Sequence, residues 1–511
     1  MSPQVLLGFV IGYFLLLYLV AWLTSRNANN ESFFIGNKNS NWKLVAFGMI
    51  GTSLSGVTFV SVPGGVGHVA KAGALPNALG YFQVVIGYFL GYLVVAYVLL
   101  PLYYRLNLTS IYHYLQQRFG NWAYKTGASF FILSRSVGAT ARLYLVINIL
   151  HIFILERMHI PFWVSVAVVL LMILLYTFEG GVRTIVYTDT LQTTLMVLGL
   201  IICVAYMLHE MNISVGEAVN QMQSAQLTRI FNTDPNSGGF FLKQIIGGMF
   251  ITIAMTGLDQ EMMQKNISVK NLADSQKNML SFSVILVFVN LLFLLLGGLL
   301  YLYAMHEGAA FAVVNGEWGF YQNGLPVTGD NLFPSVALGL MHTVPPVISV
   351  VFIIALISAL FPSADGALTA LTSSFCIDIL GLKNRIEWDE QKKRRVRLTV
   401  HLSMTLLFFV LILVFREINS RSIIDKILNL AGYTYGPLLG LFAFGILTRR
   451  QLPNNGLIAA IAIVSPVLCY LLQTNAVSWL NGYAISIEIL LINGLLTFAG
   501  LWLLSTKQKS V

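Results

Sequence analysis

Two carboxylates lie inside long apolar runs, where a charge costs a few kcal/mol or more and needs a partner or a task. Asp189 stands in Tyr187-Thr188-Asp189-Thr190-Leu191-Gln192, and Asp365 in Phe361-Pro362-Ser363-Ala364-Asp365-Gly366. Pro362 and Gly366 interrupt that second run, and a carboxylate beside freed carbonyls and the Ser363 hydroxyl favours a cation over water. The alternative for each is a buried ion pair, or a carboxylate that caps a kink. Arg135 and Arg142 are seven residues apart and so share a helix face. A guanidinium fixed in a cavity suits a substrate carboxylate, held by a bidentate pair; pairing with Asp189 or with a carbonyl is the structural alternative. Gln83 falls mid-span, within reach of a central cavity. Asp259 and Gln260 fall near the cytoplasmic exit of their span, placed to cap a helix.

A further set of ligands is backbone. Thr52-Ser53-Leu54-Ser55-Gly56-Val57-Thr58, followed by Pro63-Gly64-Gly65, puts glycine and hydroxyl residues in the middle of an apolar stretch. Such residues weaken a helix and free its carbonyls, which membrane proteins tolerate only where the backbone lines a cavity. Freed carbonyls and hydroxyls are hard oxygen ligands, suited to a small cation such as Na⁺. Close helix packing through small residues is the competing account.

The elements that position these groups are membrane helices. The 511 residues include only 30 Lys and Arg and 21 Asp and Glu, so 10% are charged, against roughly 25% in soluble domains. Apolar residues make up 57%, and runs such as Val5 to Leu23, Val284 to Met305 and Val347 to Pro362 approach or exceed the ~20 residues that cross a bilayer as helix. A soluble enzyme, a nucleic-acid binder and a disulfide scaffold are excluded. The three cysteines, Cys203, Cys376 and Cys469, sit singly inside apolar segments and suggest neither a disulfide nor a transition metal. No His, Cys or carboxylate cluster supplies a catalytic constellation. The first apolar segment lacks a preceding basic residue and a following cleavage site, so it reads as a retained helix.

Hydropathy predicts an all-α polytopic protein of thirteen spans at 3–24, 44–70, 76–102, 126–154, 160–178, 184–209, 240–258, 278–306, 346–379, 398–415, 425–448, 455–473 and 483–504. With the N-terminus outside, the inward loops and tail carry 21 Lys and Arg and the outward loops seven, with Arg135 and Arg142 inside a span. That bias follows the positive-inside rule and puts the C-terminus in the cytoplasm of a plasma (inner) membrane. The net charge of +9, including the basic stretch 383–397, therefore reads as orientation signal rather than nucleic-acid affinity. The partners expected are the lipid bilayer and a small-molecule substrate. Span two opens Lys43-Leu44-Val45-Ala46-Phe47-Gly48-Met49-Ile50-Gly51-Thr52 and span seven Lys243-Gln244-Ile245-Ile246-Gly247-Gly248-Met249-Phe250-Ile251-Thr252, with Lys, Gly, Met and Thr recurring at an offset of 200. Five spans separate the two starts, so the copies enter from opposite faces, as in an inverted-topology repeat whose site lies near the midplane.

Several segments, in order along nearly the whole chain, resemble the sodium:solute symporter family. They are Ser32-Phe33-Phe34-Ile35-Gly36-Asn37, Gly51 to Phe59 with Pro63-Gly64, Gly180-Gly181 through Thr188-Asp189 to Gln192, Asp259-Gln260 with Gln264-Lys265, Ser363 to Leu368 through Asp378-Ile379, and Tyr435-Gly436-Pro437-Leu438-Leu439-Gly440. The resemblance implies a leucine-transporter-type fold with inverted five-helix repeats at 44–209 and 240–448. Residues 1–43 then precede the repeats and 449–511 supply two peripheral helices and a tail. It implies secondary active, sodium-coupled symport by alternating access, with Na⁺ as coupling ion on the carbonyls of Gly51, Leu54 and Ala359 and the Ser363 hydroxyl. Position 362 is Pro where the family carries a hydroxyl. Asp189 falls on the carboxylate of a second sodium site found in some members, and Asp365 replaces a hydroxyl there. The family's sialic-acid transporters imply Ser53, Ser55, Thr58, Gln83 and Arg135 as substrate ligands, with Asp259 added here. They make an acidic sugar or small carboxylate the expected solute. A neutral-sugar symporter, a proton-coupled transporter using Asp189 and Asp365, and a non-transporting sensor or channel are the alternatives.

Overall fold

A computed structural model of the chain describes residues 3–25, 33–34, 38–68, 76–178, 181–308, 310–314, 317–322, 325–326, 329–338, 344–418 and 423–507. Of the motif residues above, Ser32, Ile35, Gly36, Asn37 and Gly180 lie outside them. Nine described helices are long and apolar enough to cross a bilayer: α1 (Gln4–Ser25), α4 (Tyr81–Arg105), α5 (Asn121–Met158), α7 (Thr184–Glu210), α10 (Leu272–His306), α11 (Pro346–Ile379), α12 (Glu390–Glu417), α13 (Asn429–Leu447) and α14 (Leu457–Trp479). Two more spans are bent pairs, α2 (Trp42–Ser53) with α3 (Gly56–Gly65) at 57°, and α8 (Phe241–Gly257) with α9 (Gln260–Ile267) at 64°. The shorter apolar helices α6 (Phe162–Thr177) and α15 (Ile489–Leu504) complete the set. Each of the thirteen expected spans overlaps one of these elements, up to eleven of which are long and apolar enough to cross if each bent pair is one span, and the chain is an all-α polytopic membrane protein.

Burial sorts them into a centre and a rim. In α11, 78% of the apolar window is buried, and in α5 72%, against 22% in α14 and 28% in α1, whose outward leucines and aromatics face lipid. Outside the spans, β1 (Ala310–Val314), β2 (Glu317–Gln322) and β3 (Leu325–Pro326) form a small antiparallel sheet in the order β1-β2-β3, in register Ala312 with Gly319 and Tyr321 with Pro326. The apolar reading missed this hairpin because it lies between spans.

The seventh span departs from its expected boundary. It was predicted to stop at 258, but the chain turns through a π-helical segment at Ile253–Gly257 and resumes as α9. Asp259 and Gln260 are therefore interior, both almost fully buried, and do not sit at an exit. Asp259 does cap, as the expectation held, but it caps a helix inside the protein: its Oδ1 accepts from Glu261 N at 2.9 Å and Met262 N at 3.2 Å.

α4 and α8 meet backbone to backbone. A Cβ on Gly248 would lie 2.5 Å from the Val84 carbonyl, and one on Gly87 would lie 2.8 Å from Met249 N. With no hydrophobic drive between helices in lipid, such small-residue contact is what holds them together. Gly248→Leu is expected to lower stability by about 1–3 kcal/mol or more through overpacking. Gly12→Leu, on α1 with nothing within 4 Å of its would-be Cβ, is expected to change nothing. Thermal melting of the two variants in detergent, followed by size-exclusion fluorescence, checks the contrast.

Candidate functional site

The two breaks face one another across a cavity. Along α2 the helix ends at Ser53, Leu54 adopts φ −89° and ψ 78°, and Ser55 opens α3 in an extended conformation. Leu54 N donates back to Ile50 O at 2.7 Å and Phe59 N to Ser55 O at 3.1 Å. Among the described residues, the carbonyls of Gly51 and Leu54 between them receive no donor. The other break is treated differently. Tyr103 Oη donates to Gly257 O at 2.7 Å and Tyr112 Oη to Leu258 O at 3.0 Å, so those two carbonyls are satisfied by protein. Phe59 anchors α3, with its ring 5.6 Å from Phe293 on α10 and 5.2 Å from Phe333.

Beside that break lies a cavity that encloses about 790 Å³ when the open solvent at its mouth is included. The hydroxyls of Ser53, Ser55 and Thr58 line one wall, and Tyr88, Tyr92 and Asn290 another. Arg135 and Arg142 both reach it from α5, but in different electrical states. Arg135, 4% exposed, donates through Nη2 to Glu261 Oε2, and its Nη1 lies 4.0 Å from Asp259 Oδ2. Among the described residues, no carboxylate stands within ion-pair range of Arg142, which is only half-buried. The cavity therefore presents one compensated and one uncompensated guanidinium.

Behind Arg135 the charges continue as a chain. Asp259 Oδ2 accepts from Tyr435 Oη at 2.7 Å. Glu261 Oε1 lies 3.8 Å from Lys265 Nζ. Lys265 Nζ in turn lies 2.7 Å from Asp189 Oδ2 and donates to Thr52 Oγ1 at 2.6 Å. Thr52 Oγ1 approaches Asp189 Oδ2 at 3.3 Å. Asp365 stands apart from these bonds, its Oδ2 accepting from Tyr176 Oη at 2.9 Å and its Oδ1 from Gly366 N at 2.5 Å. Every member of this network is buried.

The expected sodium ligands come together in part. A Cβ on Gly51 would lie 3.3 Å from Pro362 Cγ, so α2 and α11 touch where carbonyls of Gly51, Leu54 and Ala359 were expected to converge. Ser363 is buried there and donates to Leu360 O at 2.9 Å, leaving its lone pairs unused by that bond. Pro362 offers only ring carbons. Asp189 is engaged by an ammonium, and Asp365 by a tyrosine.

Of the expected substrate ligands, Ser53, Ser55, Thr58 and Arg135 line the cavity and two others do not. Gln83 is in the first turn of α4, not mid-span, because the helix begins at Tyr81. Its amide pins a loop, donating to Gly80 O at 2.9 Å and accepting from Asn232 N at 3.3 Å. Asp259 holds α9 and Tyr435 rather than facing the cavity. Sequence reasoning overlooked Tyr88 and Tyr92, whose four-residue spacing with mid-span position was the available signal, and Asn290 on α10, a lone amide in an apolar run. Gln260 and Gln264 are structural: Gln260 Nε2 donates to Thr109 O at 3.0 Å, and Gln264 Nε2 to Phe34 O and to Ser373 Oγ at 3.2 Å.

Residues 33–463 match the family model described as "Sodium:solute symporter family". The chain is 23% identical over 453 residues to the sodium/sialic acid symporter NanT of Aliivibrio fischeri, covering 86% of this chain and 82% of that protein. It is also 23% identical over 470 residues to the sodium/sialic acid symporter SiaT of Proteus mirabilis, covering 90% and 88%. The sodium-coupled monocarboxylate transporter 1 of Mus musculus is 26% identical over 431 residues, covering 82% of this chain and 64% of that one. In fold, a solved Na⁺-coupled sialic acid symporter in a substrate-bound outward-open state superposes with TM-score 0.79 at 18% identity, over 98% of this chain and 99% of that one. A broken second span with free carbonyls, a hydroxyl-lined cavity beside it and a family model matched across most of the length converge on one assignment: this chain belongs to the sodium:solute symporter family.

Proposed function

We propose that the chain is a secondary active transporter that couples Na⁺ entry to uptake of a small organic anion, first an acidic sugar such as sialic acid and next another small carboxylate. The observation that carries this reading is the cavity at the α2–α3 break, lined by Leu54 and by the uncompensated Arg142 guanidinium, with the carbonyls of Gly51 and Leu54 left without donors among the described residues. The carbonyls, with that of Ala359 and the Ser363 hydroxyl, hold Na⁺. Arg142 holds the solute carboxylate, and Ser53, Ser55 and Thr58 bond its hydroxyls. The names of the sialic acid and monocarboxylate relatives support an anionic solute.

Alternating access follows from the two breaks. Helices 44–209 and 240–448 form inverted repeats, each opening with a bent span, so the site lies near the midplane with its hinges on both sides. The N-terminus faces outside and the C-terminus the cytoplasm of a plasma (inner) membrane. Na⁺ must bind one access state better than the other, since equal affinity shifts no equilibrium.

Uptake into proteoliposomes holding the purified chain tests the reading. Labelled sialic acid and a panel of sugars and carboxylates are offered under an inward Na⁺ gradient, a K⁺ control and a proton gradient. Na⁺-dependent uptake of an anionic solute is expected. Ser363→Ala should raise the Na⁺ concentration for half-maximal uptake about tenfold or more, since losing a partner to a charged group costs about 1.5–3 kcal/mol. Uptake driven by protons alone would overturn the sodium coupling. Uptake of neutral sugars only would keep the mechanism and remove the role given to Arg142.

A further inference from the structure

We propose that a groove between the ends of α4 and α13 binds the head group of an anionic phospholipid, one molecule per chain. The groove encloses about 880 Å³ when the open solvent at its mouth is included, and it shares no lining residue with the cavity at the α2–α3 break. Val98, Leu102 and Arg105 of α4 line it, with Gly445 and Ile446 of α13. Tyr114 and Arg118 reach it from the short helix His113–Phe119.

The polar side chains here are set for an anion. Arg118 is fixed against the end of α13, its Nη2 donating to Thr448 O and to Arg450 O, both at 2.9 Å. Carbonyls hold that guanidinium but do not neutralise it, and among the described residues no carboxylate pairs with it. Arg105 is exposed and, among the described residues, makes no hydrogen bond or ion pair. Tyr114 is only 7% exposed, with its ring 5.6 Å from that of Phe442, yet among the described residues its hydroxyl makes no hydrogen bond. A Cβ on Gly445 would lie 2.7 Å from Tyr114 Oη, so glycine at that position keeps the hydroxyl open to the groove. Burial pushes this hydroxyl up to about 12 against the pull of Arg118 and Arg105, so it stays a neutral donor at physiological pH. Two uncompensated guanidiniums and a phenol around one space match a phosphate group, whose charged oxygens accept from all three.

The rest of the groove is apolar and continuous with the lipid-facing surface. Val98 is 46% exposed, and Leu447, next to Ile446, is 76% exposed. α4 ends at Arg105 and α13 at Leu447, so the two guanidiniums stand where spans leave the hydrocarbon, the level at which basic pockets between helices hold anionic head groups. A lipid fills both parts at once, whereas a soluble phosphate would use only the donors. A zwitterionic lipid carries a cation beside its phosphate, which the guanidiniums repel. α4 lies in the first half of the chain and α13 in the second, so the occupant touches both.

Native mass spectrometry of the purified full-length chain, delipidated in detergent, tests this without knowledge of the solute or the coupling ion. Phosphatidylglycerol and phosphatidylcholine with the same acyl chains are titrated separately. One phosphatidylglycerol is expected to bind about 25-fold more tightly than phosphatidylcholine, counting about fivefold for each guanidinium. Arg105→Ala should lose about fivefold of that preference. Arg395→Ala, which removes an exposed charge from the basic stretch 383–397, should lose none. Tyr114→Phe keeps the ring against Phe442 and should weaken phosphatidylglycerol about threefold or more, which decides the matter if Arg105→Ala does not fold. Equal binding of the two lipids to the wild type, or the same affinities in Arg105→Ala and Arg395→Ala, would overturn the proposal. Inorganic phosphate that competes with phosphatidylglycerol at equal concentration would assign the donors to a soluble anion and overturn it as well.

Discussion

Replacing Arg142 with alanine is expected to lower kcat/KM for uptake of an anionic solute about 100-fold, while the protein folds and melts as its parent does. The reason lies in the difference between the two arginines of α5. Arg135 is already neutralised by Glu261 and Asp259, whereas Arg142 lines the cavity without a carboxylate in range among the described residues. A charge-assisted, desolvated pair to a ligand carboxylate is typically worth 2–5 kcal/mol when one partner is removed, which brackets the expected loss. Arg142→Lys should recover part of the activity, since a point charge keeps the attraction but loses the fork that matches a carboxylate. Initial-rate uptake into proteoliposomes, with a melting curve for each variant, measures both halves of the statement. Uptake by Arg142→Ala within threefold of the parent would show that the carboxylate is held elsewhere.

The opposite pattern is expected one helical face-length away. Arg135→Ala should cost about 3–5 kcal/mol of stability, because it strands the buried Glu261 and Asp259 charges without their guanidinium. Its effect on uptake should follow the loss of folded protein. Adding Glu261→Gln to Arg135→Ala should return part of the stability, and a double-mutant cycle should show a coupling of about 0.5–3 kcal/mol between the two sites. Denaturation of the four proteins in a single detergent, read by intrinsic fluorescence, provides the cycle. If Arg135→Ala melts like the parent and abolishes uptake, the assignments of the two arginines must be exchanged.

The two cases show where a sequence stops informing. The seven-residue spacing put Arg135 and Arg142 on one face, and both do reach the cavity, but nothing local separates their roles. That separation depends on Glu261, which is 126 residues from Arg135 and meets it only because α9 turns back into the protein. Lys265 was counted among cytoplasmic loop charges for the same reason. A hydropathy window that ends at a polar cluster treats the cluster as an exit, whereas here the break is the site. Gln83 failed in the other direction, since a shift of a few residues in the start of α4 moved it from mid-span to the first turn.

What the sequence determined by itself was whatever depends on transfer to lipid and on local backbone chemistry. Long apolar runs can satisfy their backbone groups in a bilayer only as helices, so the order and type of the elements followed, as did the break at Leu54 and Ser55, where glycine and hydroxyl residues weaken the helix. What only the tertiary structure decided was the partner of each buried charge. Asp189 with Lys265, Arg135 with Glu261 and Asp365 with Tyr176 are joined across 76, 126 and 189 residues. A buried charge selects its partner by distance in a low-dielectric interior, and that distance is set by how distant helices pack, which no local pattern of residues encodes.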